Sequence, residues 1–136
     1  TVKVFDIAPG LAQSDVQNTG QGIIQNQDFS INSSAARAKR GEIIQIYATG
    51  LGPVSNAPPD GAPAPSTPPL ATTLTKPVVT IGGAEAPVLF SGLAPGLVGL
   101  YQINVQVPAG APAGDAVPVV LRLGNATSNT VTIAVR

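Results

Sequence analysis

Glycine and proline break this 136-residue chain so often, fifteen times and fourteen times, that no long helix fits between them. Short segments of alternating apolar and polar residues lie between the breaks, as expected for the strands of a sandwich or barrel. No stretch of about ten residues combines a 3.6-residue apolar period with helix caps.

The clearest strand runs from Leu100 to Val107. Tyr101, Ile103, Val105 and Val107 form an apolar inner face, and Gln102, Asn104 and Gln106 form an outer face of amides. Pro108 follows and has no N–H for a ladder, so pairing should stop there. Glu42 to Thr49 is a second strand. Ile44 and Ile46 share one face and Ile43, Gln45 and Tyr47 the other, which predicts a central position.

Two hairpins are expected. Val78–Ile81 leads through Gly82-Gly83 to Ala86–Phe90, and the glycines supply the positive φ of a tight turn. Val117–Leu123 leads through Gly124-Asn125 to Thr127–Val135, with Val117, Val119, Leu121 and Leu123 on one face. Pro118 predicts a sheet edge or a strand start for that segment. At the N-terminus, Val2–Ile7 alternates weakly, and Gly22–Ile31 suggests a short hairpin around Gln27-Asp28. Eight prolines fall between Pro53 and Pro77, so that stretch reads as an extended loop lying on the sandwich. The expectation is therefore one all-β domain over residues 1–136, an immunoglobulin-like antiparallel β-sandwich. Residues 1–40 would pack on it as a strand and hairpin, and 53–77 would form the proline-rich loop.

Composition narrows the function. Charged residues make up 10% of the chain and the formal net charge is zero, so a nucleic-acid partner is not expected. No apolar run reaches the roughly 20 residues that cross a bilayer. Cysteine is absent, which removes disulfides, thiolate metal sites and a thiol nucleophile. Histidine is also absent, and with it the usual general base and zinc ligand. The seven carboxylates are scattered, most of them at expected turns or strand ends. Neither catalytic nor cofactor-binding residues are expected, and the chain reads as a non-enzyme. Gly20-Gln21-Gly22, Gly50-Leu51-Gly52 and Gly82-Gly83 are turn chemistry rather than phosphate loops, since none sits between a strand and a helix. Asn32-Ser33-Ser34 and Asn125-Ala126-Thr127 fit the glycosylation sequon. The chain begins at Thr1 without a leader and reads as an excised part of something longer.

Two candidate sites remain. Asn26, Asp28 and Asn32, with Ser30, alternate through Asn-Gln-Asp-Phe-Ser-Ile-Asn and offer oxygens to a calcium ion, although calcium usually takes several carboxylates and only one is present. Gln102, Asn104 and Gln106 form a candidate binding face for a protein or a glycan, because amides both donate and accept hydrogen bonds.

Several runs carry a family resemblance: Ile46-Tyr47-Ala48-Thr49-Gly50-Leu51-Gly52-Pro53-Val54, Pro59-Asp60-Gly61, Val79-Thr80-Ile81-Gly82-Gly83, Leu89-Phe90-Ser91-Gly92-Leu93-Ala94-Pro95-Gly96, Gly99 to Pro108, and Ser128-Asn129. Together with Asn26-Gln27-Asp28 and Arg40-Gly41 they resemble the Solibacter-type C-terminal domain of uncharacterised acidobacterial proteins, over about residues 20 to 135. The later half also resembles IPT/TIG immunoglobulin-like domains. The resemblance implies an immunoglobulin-like sandwich at the C-terminus of an exported or cell-surface bacterial protein, and no catalytic residues. The expected function is an accessory, spacer or protein-interaction module. The alternative is a module that binds carbohydrate or the cell envelope.

Overall fold

The computed structural model describes residues 8–13 and 20–136. The described residues contain ten strands: β1 (Gly10–Leu11), β2 (Ile24–Gln25), β3 (Ile43–Thr49), β4 (Val78–Ile81), β5 (Ala84–Ala86), β6 (Val88–Leu93), β7 (Tyr101–Gln106), β8 (Gly114–Leu123), β9 (Ala126–Thr127) and β10 (Val131–Val135). They form two antiparallel sheets packed as a β-sandwich. The first has the order β1-β3-β7-β6, with β2 also on β3; the second has the order β10-β8-β4-β5, with β9 also on β8. The weakly alternating Val2–Ile7 lies outside the described residues.

Period-two alternation decides which side chains enter the interior. Ile44, Ile46, Ile103 and Val105 point inward from the first sheet; Val79, Ile81, Val119, Leu121, Ile133 and Val135 meet them from the second. All are buried, and each such side chain contributes about 1.5–3 kcal/mol over leaving it in water. β3 is central, as its two apolar faces predict: it pairs with β7 along one side and with β1 and β2 along the other.

Three expectations need correction. The strand Ala86–Phe90 does not exist as one element. The hairpin partner of β4 is β5, which ends at Pro87, and β6 crosses to the first sheet. Pro87 has no N–H with which to continue the ladder. Thr127–Val135 is likewise broken, into β9 and β10. Pro118 lies on β8, which is interior to its sheet, not at an edge. The register explains this. The last β4 residue, Ile81, faces Val119, and Pro118 accepts a bond from the Gly82 N–H at 2.7 Å just as the chain turns away. The missing N–H therefore falls where β4 has ended.

The segment from Gly20 to Ala38 seals one flank by touching both sheets. It forms β2 on β3 and makes parallel bridges from Gln21 to Thr132 and from Ala38 to Val135 on β10. Two side chains complete the seam. Asn32 bonds the backbone of Ala134, and Asn129 Oδ1 accepts from Leu11 N at 2.7 Å while its Nδ2 donates to Leu11 O at 3.1 Å.

No named strand lies between Gly50 and Pro77. Residues 71–73 run beside β6: Leu93 N donates to Ala71 O and Thr73 N to Ser91 O, both at 2.9 Å. Residues 53–55 pair in turn with 72–74, through Ser55 N to Thr72 O and Leu74 N to Pro53 O. Gly92 permits this approach, since a Cβ there would lie 2.0 Å from the Ala71 carbonyl oxygen.

Candidate binding face

Register carries the amides of β7 into a wider surface. On the outer side of the first sheet one row reads Gln25, Gln45, Asn104, Phe90, and the next reads Tyr47, Gln102, Gly92. Gln106 faces Ile43 in a third row. The expected candidates Gln102, Asn104 and Gln106 thus share a face with Gln25, Gln45 and Tyr47. Alternation within one strand identifies each outward residue but does not say which strands lie side by side; only the register does.

Much of this amide capacity is used within the face. Gln102 Nε2 donates to Asn104 Oδ1 at 2.9 Å, and Gln106 Nε2 donates to Gly41 O at 3.1 Å. The Tyr47 hydroxyl donates to Gln25 Oε1 at 2.8 Å, and Gln27 Oε1 accepts the Ile43 N–H at 2.9 Å. Partial burial pushes the Tyr47 hydroxyl above the ordinary phenol pKa. The second tyrosine, Tyr101, faces inward as expected, and its hydroxyl donates to Gly52 O.

Exposed apolar side chains border the amides. Ile31 bridges to Gln25 and Ile23 precedes the inward Ile24, so both lie on the outer side with Ile43; they are 55%, 41% and 38% exposed. Phe29, at the adjoining turn, is 67% exposed and has a φ of 68°. Large side chains rarely adopt that left-handed conformation. The turn is closed by Asn26 N to Ser30 O at 2.8 Å and Phe29 N to Asn26 O at 2.9 Å, in the place expected for the Gln27-Asp28 hairpin.

The calcium candidates Asn26, Asp28 and Asn32 are joined through Ser30 in one hydrogen-bonded chain, which gives each of them a protein partner. Asn26 and Asn32 are buried, and Asn32 Nδ2 donates to Asn26 Oδ1 at 2.9 Å. Asn32 Oδ1 accepts from Ala134 N and Gln21 Nε2. Asp28 is exposed and accepts from the Ser30 N–H and hydroxyl, which hold its carboxyl below the usual range. Among the described residues no three of His, Cys, Asp or Glu gather as a metal-holding group. The two sequons also differ: Asn32 is 1% exposed with its carboxamide bonded on both sides, whereas Asn125 is exposed on the turn between β8 and β9.

No helix among the described residues is long and apolar enough to cross a membrane. Comparison with known proteins finds no matching family model, curated protein or solved structure.

Proposed function

We propose that this chain is a non-catalytic accessory domain that docks a protein partner through the outer face of its first sheet. The observation that carries the reading is the cluster of Ile23, Phe29, Ile31 and Ile43, exposed beside a neutral field of amides. Protein interfaces concentrate apolar and aromatic groups and exclude charge at their centre.

We further read the sandwich as immunoglobulin-like. Counting from β3 as strand B, the orders β3-β7-β6 and β10-β8-β4-β5 correspond to B-E-D and G-F-C-C′. An exported or surface-held bacterial parent is part of this proposal and rests on the sequence resemblance to the Solibacter-type C-terminal domain alone.

The test is to introduce Phe29→Ser with Ile31→Ser into the parent protein and follow export, surface retention and parent activity. Loss of retention or of activity, with the isolated domain still folded, is the expected result. If all three stay at wild-type levels, the docking role is wrong.

A further inference from the structure

On the far side of the Asn26–Ser30 turn lies a cavity of about 460 Å³, distinct from the outer face, whose lining includes Asn26, Asp28, Ser30, Ser34, Arg37, Lys39, Glu42 and Arg136. We propose that this cavity binds an acidic carbohydrate, a sugar unit bearing a carboxylate.

Its size suits a small polar ligand. Its charges are arranged unusually. Arg37 is paired with Asp115 and also donates to Ser34 O, so it forms a fixed wall. The Lys39 ammonium and the Arg136 guanidinium make no hydrogen bond or ion pair with the described residues. Backbone bonds nevertheless hold both residues in place, through Lys39 N to Glu42 Oε1 at 2.7 Å and Arg136 N to Ala38 O at 2.9 Å. These two cations are the groups that would grip a carboxylate. Asp28 and Glu42 line the same cavity, and each uses one carboxylate oxygen within its own turn.

The two carboxylates select the kind of acid. An acidic peptide offers Asp28 and Glu42 only like charge beyond its own backbone. A uronic acid unit presents one carboxylate to the cations and several hydroxyls, which donate to the carboxylates and to Ser34. Buried Asn26 fixes the floor, donating to Ser30 Oγ at 3.0 Å and to Ala36 O at 2.7 Å, so the backbone under the ligand is ordered before it binds.

The test is calorimetric titration of the whole chain with polygalacturonate at low salt, against pullulan, polyglutamate and dextran sulfate. Binding of polygalacturonate alone is expected. Lys39→Ala and Arg136→Ala should each weaken it by about tenfold, the size expected for a hydrogen bond to a charged group, with unchanged melting temperatures. Glu42→Gln should weaken it less. The proposal fails if polygalacturonate does not bind, if polyglutamate or dextran sulfate binds as tightly, or if the folded Lys39→Ala and Arg136→Ala variants bind like the parent.

Discussion

The Asn32 side chain pairs with Ala134 as one strand pairs with another: Nδ2 donates to Ala134 O at 2.9 Å and Oδ1 accepts the Ala134 N–H at 2.8 Å. It fills the gap along β10 between the backbone bridges of Gln21 and Ala38. Asn32→Leu leaves the Ala134 N–H and the Asn26 amide oxygen without these partners in a buried setting. The expected loss is about 2–4 kcal/mol, read by urea denaturation. Asn32→Asp replaces the donor with a carboxyl facing two acceptors. Its folded-state pKa is then raised, so its stability is greatest below the unfolded carboxyl pKa and falls as pH rises through the folded value. Melting curves from about pH 4 to 7 check this sign.

Phe29 holds a conformation that costs an L-residue about 1–2 kcal/mol. Phe29→Asn, a residue that tolerates this region, should therefore raise stability by about 0.5–1 kcal/mol in thermal melts. The same variant should weaken docking of the proposed partner. A stabilised variant with parental retention would separate the strain from the function.

Gly92→Ala puts a methyl group against the Ala71 carbonyl, which is backbone and can yield only by moving residues 71–73 off β6. The expected result is a loss of about 2 kcal/mol or more, with faster proteolysis within 53–77.

Ile103 is fully buried between the sheets. Ile103→Asp places an unpaired charge there and should unfold the domain at neutral pH, by loss of the cooperative melt.

Tyr47 and Tyr101 are the chain's only tyrosines, and partial burial raises both above the ordinary phenol range. Both folded-state values exceed the unfolded one, so their contribution to stability is complete below the unfolded pKa and lost as pH rises through the folded values. Phenolate absorbance should appear at higher pH in the native domain than in the chain unfolded in guanidinium.

What the sequence made legible was the local pattern. Ile44 and Ile46 in β3, Ile103 and Val105 in β7, and Val117, Val119, Leu121 and Leu123 in β8 are buried by the alternation that predicts them. What it concealed was pairing at a distance. Pro87 reads as one break among many, yet it is where the chain changes sheets. Pro118 reads as an edge residue because the length of its neighbour β4 is invisible from β8. Asn32 reads as a turn or cation ligand, since nothing nearby in sequence reveals that Ala134 lacks a strand beside it. The binding face was legible one strand at a time, and only the register joined Gln45 and Tyr47 to Asn104 and Gln102.

The segments running beside β6 have a consequence for solubility. An open strand at the rim of a sheet is a template on which further chains can zip, and proteins defend against it with charge, proline or a cover. Here the cover is built in: residues 71–73 occupy the rim of β6, and the outermost row begins at Pro53, which has no N–H to offer a newcomer. A chain trimmed of this loop would keep its core and gain a sticky margin, and fibres would be its characteristic failure.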